Sequence, residues 1–306
     1  MTVAGSSGGT PGLAANLLSS PFGLALDSTN SLYIVDLINN RIQKWLFNAN
    51  SGTTVAGQAN GGTGSSVTTL RYPTSIVLDS TDNMYLSDTS NYRVMFWARN
   101  ASSGTTIAGI TGSSGTTNNT FNNPFGVARD SSSGTLYIAD TSNHRVMKYL
   151  ANASSGTVAA GGNGAGTGIT QLYSPYGLVF DASSNSLVIA NYGANNIVRW
   201  ILGASSWTLV AGSISGVSGS TSTLLYQPLG VTLDSMSNMF IADAGNHRIQ
   251  FFLAGQLNGT TVAGVTGSFG TSPNQLYYPH ATIIDNQMNL YVADTSNNRV
   301  QRFSHY

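Results

Sequence analysis

The chain has 306 residues, of which 35 are glycine and only 8% are charged. Twelve Lys and Arg balance twelve acidic residues, all of them Asp, so neither nucleic acid nor an anionic membrane surface is an expected partner. The lack of Cys excludes a disulfide framework, a thiolate nucleophile and a Cys-ligated metal. No apolar run reaches the length of a membrane-spanning helix, so membrane insertion is not expected either.

The chain opens on "MTVAGSSGG", without a charged and then apolar leader. Its first strand pattern is "TVAG" at residues 2–5. After Pro21 come "GLALD" (23–27), "LYIVD" (32–36), "RIQKW" (41–45) and "TTVAG" (53–57), separated by turn-forming "STNS", "LINN" and "NANSG". Both faces of these strands are apolar, as in Leu24 and Leu26 against Ala25, which predicts a sheet covered on both sides.

The same unit then recurs along the chain. The second strand and its turn read "YIVDLINNRI" (33–42), "YLSDTSNYRV" (85–94), "YIADTSNHRV" (137–146), "FIADAGNHRI" (240–249) and "YVADTSNNRV" (291–300), with a degraded copy "VIANYGANNIV" at 188–198. The glycines that close the outer strand (Gly5, Gly57, Gly109, Gly161, Gly212, Gly264) lie 52, 52, 52, 51 and 52 residues apart, and Pro21, Pro73, Pro124, Pro175, Pro228 and Pro279 keep the same beat. Six units of about 50 residues, each with four antiparallel strands, predict an all-β six-bladed propeller. The expected blades are 21–57, 73–109, 124–161, 175–212, 228–264 and 279–303, forming a single domain over 1–306. Residues 2–5 should supply the missing outer strand of the last blade and so close the ring. A variant in which this strand closes a neighbouring molecule's ring would give self-assembly by strand addition.

Eleven of the twelve Asp fall at repeat positions, and only Asp82 does not. Those after the first strand (Asp27, Asp79, Asp130, Asp181, Asp234, Asp285) suit Asx turns. Those after the second are followed five residues later by Arg: Asp36 by Arg41, Asp88 by Arg93, Asp140 by Arg145, Asp243 by Arg248 and Asp294 by Arg299. These pairs are expected to clasp the intervening turn. In the fourth unit Asn191 takes the Asp slot, Ile197 is read into the Arg slot and the loop is read as one residue longer, so both charges vanish together, as a direct pair requires. Arg129 stands where other units hold Leu26, Leu78, Phe180, Leu233 or Ile284; a neighbouring repeat Asp, or a place lining the channel, is expected for it.

The pattern P-x-G, then Asp, then "LYIAD-x-x-N-x-R-[IV]" resembles the NHL repeat, and "NHRV" at 143–146 and "NHRI" at 246–249 match it closely. The resemblance covers essentially the whole chain and implies a six-bladed propeller. It fixes function poorly, because propellers of this kind include RNA-binding, protein-binding, extracellular scaffold and lyase members.

Related six-bladed lactonases rely on Glu, which is absent here. The amidating lyases of the group hold a metal with several His in the channel. Here His144 and His247 share the middle slot of N-x-R, filled elsewhere by Asn40, Tyr92, Asn196 and Asn298, and with His280 and His305 they give no converging zinc set. No catalytic residue, metal or cofactor is therefore assigned. The loops entering each first strand and joining the second to the third share one face. On it Tyr72, Tyr92, His144, Tyr173, Tyr176, Tyr226, His247, Tyr278 and His280 are the candidates for contact with a protein or a glycan, while Phe22 and Phe125 are expected to wedge between blades. Sequons at Asn100, Asn118, Asn152 and Asn258 and the low charge favour a secreted or cell-surface glycoprotein whose leader is absent from this chain, with a cytoplasmic protein as the alternative. The functional expectation is a non-enzymatic binding or scaffold propeller, and the alternative is a lyase or hydrolase with an unrecognised metal site in the channel.

Overall fold

A computed structural model of the chain describes residues 1–304; His305 lies outside the described residues. The first blade shows how the unit is built. Its strands are Pro21–Leu26, Leu32–Asp36, Arg41–Trp45 and Thr53–Gly57, paired antiparallel in chain order from the centre outwards. Five further four-stranded sheets repeat this arrangement. In the sixth, Thr282–Ile284, Leu290–Asp294 and Arg299–Phe303 are completed by Thr2–Gly5. Ala4 faces Val300 and Gly5 faces Arg299. The first strand therefore closes the ring of its own chain.

Successive side chains on a strand serve different interfaces. Ala25 and Ile42 pack into a core shared with Ile76, Leu86 and Trp97 of the second blade, whereas Leu24 and Trp45 pack against Ala4, Ala293 and Val300 of the sixth. Each blade is thus apolar on both faces because each face is an interior, close-packed surface.

Two glycines of the repeat have a steric reason. Gly57 has φ +78° opposite Arg41, and a Cβ there would run into the Asn40 carbonyl. Gly23 lies 2.8 Å, by its hypothetical Cβ, from the Thr74 carbonyl of the next blade, so the innermost strands approach too closely for a side chain.

Candidate functional site

The turn between second and third strands carries the repeated polar residues. Arg41 Nε donates to Asp36 Oδ2 at 2.8 Å, and Asn39 donates to the same oxygen at 2.9 Å. Asp36 Oδ1 accepts the Ser19 amide at 2.7 Å. The equivalent ion pairs of Asp88 with Arg93, Asp140 with Arg145, Asp243 with Arg248 and Asp294 with Arg299 measure 2.7–2.8 Å. Burial pushes these carboxyls up, opposed by the amides and the guanidinium.

The expected pairs are all present, and the outer nitrogens of each Arg also reach the loop that enters the blade. Arg93 donates to the carbonyls of Ser65, Ser66 and Thr69. Arg145 donates to those of Thr116, Thr117 and Thr120, and Arg248 to those of Ser220, Thr221 and Leu224. A planar guanidinium has donors left over once Nε is paired, and buried donors need acceptors. Each Arg therefore holds a long loop as well as a turn, and no oxygen of these carboxylates is left for chemistry.

The fourth blade corrects the sequence reading. Asn191 pairs with Asn196 in the register that Asp140 and Arg145 share, so the loop keeps its length and the Arg slot holds Asn196, not Ile197. Ile197 is instead a fully buried core residue. An uncharged amide pair, Asn191 Nδ2 to Asn196 Oδ1 at 3.1 Å, replaces the ion pair.

The residue before the Arg slot is left-handed in each of these turns, including Asn40, Tyr92, His144, Asn195, His247 and Asn298. This slot in the fourth blade belongs to Asn195 and not to Asn196. Its side chain ties neighbouring blades together: Asn40, Asn195 and Asn298 accept the amides of Tyr72, Gln227 and Ser20 at 2.9 Å. His144 Nδ1 accepts the Ser174 amide at 3.1 Å and His247 Nδ1 accepts the Tyr278 amide at 3.2 Å. The acceptor role at Nδ1 places the proton of each ring on Nε2, and burial lowers both pKa values. His and Asn both serve in this slot because each presents an acceptor in the same place and tolerates the left-handed backbone, whereas Tyr92 supplies only the left-handed conformation. Both His are thus bonded inter-blade contacts, with only their outer edges left to face a partner.

A second inter-blade bond has no counterpart in the sequence reading. The hydroxyls of Thr89, Thr141 and Thr295 donate to the carbonyls of Pro124, Pro175 and Pro21 in the following blade, at 2.6–2.7 Å. The signal was available: Thr follows the second Asp in these three units, and Leu37, Tyr192 and Ala244 replace it in the others.

The residues after the repeat prolines converge on the channel. Phe22 stacks on His280 at 3.6 Å between centroids, Phe125 packs on Tyr176 at 4.3 Å, and Tyr176 lies 4.8 Å from Tyr192. Phe22 and Phe125 therefore belong to the channel mouth, beyond any role as blade wedges. Below it a channel of about 260 Å³ is lined by Leu24, Ile76, Val127, Leu178, Val231 and Ile283, among others. His280 is 8% exposed, both its ring nitrogens lack a hydrogen-bond partner, and burial lowers its pKa to about 3. Tyr278 donates to Gln227 Oε1 at 2.9 Å, and burial together with the Tyr192 phenol raises its pKa.

Tyr173, Tyr226 and Tyr277 form a separate group, at the same repeat position of the fourth, fifth and sixth blades, and are 42%, 42% and 37% exposed. His144 meets Tyr173 edge-on, His247 meets Tyr277 likewise, and exposed Phe269 stacks on Tyr277 at 4.5 Å. Tyr72 is exposed on the second blade and Tyr92 half-buried. The structure thus divides the candidate residues: Tyr176, Tyr278 and His280 belong to the channel mouth, and Tyr173, Tyr226, His144 and His247 to an outer arc. Phe269 was missed, although it replaces the Ser114 of the third unit's loop. The sequon residues Asn100, Asn118, Asn152 and Asn258 are all exposed or half-buried.

Arg129 has neither of its expected roles. Its guanidinium lies over the Tyr85 ring at 5.2 Å, and among the described residues no Asp pairs with it. It lines a cleft between blades and not the channel. Among the described residues no group of three or more His or Asp is placed to hold a metal ion.

The family model of the NHL repeat matches residues 121–149, in the third blade. No curated protein matches the chain. Among solved structures, a Bacteroides thetaiotaomicron protein of unknown function superposes with a TM-score of 0.75 at 16% identity, covering 99% of this chain and 75% of that one. An auxiliary nutrient binding protein from the same species gives 0.72 at 17%, covering 98% and 75%. A Staphylococcus aureus virginiamycin B lyase gives 0.56 at 12%, covering 95% and 86%. At such identities the likeness is one of fold.

Proposed function

We propose that this six-bladed propeller of NHL-type repeats is a non-enzymatic binding module that contacts a protein or a glycan outside the cell. The observation that carries this reading is the outer arc, where Tyr173, Tyr226 and Tyr277 repeat on three consecutive blades, each more than a third exposed and fixed on a rigid turn. Tyrosine gives large amphipathic contact area with little conformational entropy to lose, which suits glycan rings and peptide segments. The repeat carboxylates and arginines are occupied within the fold, which leaves aromatic and amide groups, together with the exposed Arg71 at the matching position of the second blade, as the chemistry of this face. The shared fold of a nutrient binding protein agrees with such a role. The accessible sequons support a place on the cell surface or in the secreted fraction.

A glycan and peptide array screened with the intact protein, and with the triple variant Tyr173→Ala, Tyr226→Ala, Tyr277→Ala, tests the reading. Binding by the parent that falls at least tenfold in the variant supports it, and equal binding by both overturns it.

A second reading, a lyase or hydrolase of the channel, is favoured by His280, an imidazole buried with no partner at the mouth. One tightly bound Zn or Ca per chain in the purified protein would support that reading over the first.

A further inference from the structure

On the face opposite the tyrosine arc, a cleft of about 590 Å³ opens between the second and third blades. Its walls include Phe96, Ile107, Leu136, Tyr149 and Leu150, and it is also lined by Arg129. Three other cations outside the repeat Arg have a carboxylate: Lys44 meets Asp27 at 2.9 Å, Arg199 meets Asp181 at 2.6 Å and Arg99 meets Asp82 at 3.3 Å, whereas Lys148 and Arg302, like Arg129, have none among the described residues. The Nε of Arg129 is buried without a hydrogen-bond acceptor. One face of its guanidinium is covered by the Tyr85 ring. A half-buried cation with unpaired donors, in a cleft whose apolar walls are interrupted by Thr105, Thr106 and Asn152, lacks the counter-charge that such groups ordinarily have.

We propose that this cleft binds a small monocarboxylate with a planar, apolar body. A guanidinium set over an aromatic ring keeps its terminal donors free, and the fork of those donors matches the two oxygens of a carboxylate. One guanidinium balances one carboxylate, whereas a phosphate dianion would leave charge uncompensated between apolar walls. The walls of Phe96, Tyr149 and Leu150 suit a ring or a short hydrocarbon. The site does not depend on the tyrosine arc, so either proposal stands or fails without the other.

Benzoate, its neutral isostere benzamide and inorganic phosphate are the probes, titrated into the intact protein while the side-chain Nε–H resonance of Arg129 is followed by NMR. Benzoate is expected to shift that resonance saturably. Arg129→Leu, which restores the residue of the first, second and fifth blades, should keep the fold and weaken benzoate binding at least tenfold. Arg129→Lys, a point charge without the fork, should fall between the two. The assignment is overturned by unchanged benzoate affinity in Arg129→Leu, by benzamide or phosphate binding as tightly as benzoate, or by no saturable shift at millimolar benzoate.

Discussion

Asn191 and Asn196 face each other across the turn of the fourth blade, in the register where the third blade sets Asp140 against Arg145. The fold thus holds its own control for the ion pair: the same turn closes with a neutral pair. Removing one charge of a buried pair leaves the other uncompensated, at a cost of about 3–5 kcal/mol, while replacing both can be nearly neutral. Urea unfolding of Asp140→Asn, Arg145→Asn and the double variant should therefore be non-additive. The double variant should lose less than the sum of the two singles, and additive losses would refute direct coupling.

His144 and Ser174 make a second test of what the repeat is for. Nδ1 of His144 accepts the Ser174 amide as Asn40 accepts that of Tyr72. His144→Asn should cost less than about 1 kcal/mol, and His144→Ala about 1–2 kcal/mol, since it strands a half-buried amide. Thermal unfolding of the two variants checks this. Equal losses would mean that the acceptor is not what matters in this slot.

Ring closure rests on Thr2–Gly5 against Arg299–Phe303, with Ala4 1% exposed between the sixth and first blades. Ala4→Asp puts an unpaired carboxylate into that interface and should lower the unfolding midpoint by more than about 5 °C, as a buried charge of several kcal/mol requires. The exposed substitution Ser51→Asp, in a turn of the first blade, should have no comparable effect.

Much of this architecture was legible in sequence, for a physical reason. The Gly57 position is left-handed against a facing carbonyl and recurs in all six copies, and the buried pair of Asp36 with Arg41 recurs in five, so sterics and buried charge keep the beat audible. The second task of Arg93 and Arg248, holding the entry loop, was not legible, because they bond backbone carbonyls, which carry no sequence signature. The fourth turn was misread because Asn195 and Asn196 are chemically alike and the left-handed slot and the Arg slot are adjacent. Backbone conformation tells them apart and residue type does not. The bonded role of His144 was hidden because an imidazole and an amide become equivalent only when an acceptor is needed at one point in space. The channel mouth joins Phe22, Phe125, Tyr176 and His280 from four blades, and only their common place after the proline hinted at it. Arg129 was recognised as a misfit, but its aromatic partner Tyr85 lies on another blade.

His280 gives the last prediction a sign. Unfolded, its imidazole takes up a proton below about 6.5; folded, burial holds it neutral down to about 3. Between those values the unfolded chain binds the extra proton, so stability falls as pH drops, by about 1.4 kcal/mol for each tenfold rise in acidity. Asp27 and Asp181, held down to about 2 by hydroxyl, amide and cationic partners, also contribute stability above the ordinary Asp range, and lose it only as pH falls from about 4 towards 2. His144 and His247 are lowered as well and share the upper part of the window. The comparison is therefore best made between the double variant His144→Asn, His247→Asn and the same protein with His280→Leu added. Between about pH 6.5 and 4.5 the parent should lose about 2–3 kcal/mol more than the variant carrying Leu at 280, read from urea midpoints at each pH. Parallel curves would show that the imidazole is reached by solvent or by a proton acceptor when folded, and the account of a dry, unpartnered channel mouth would fall with them.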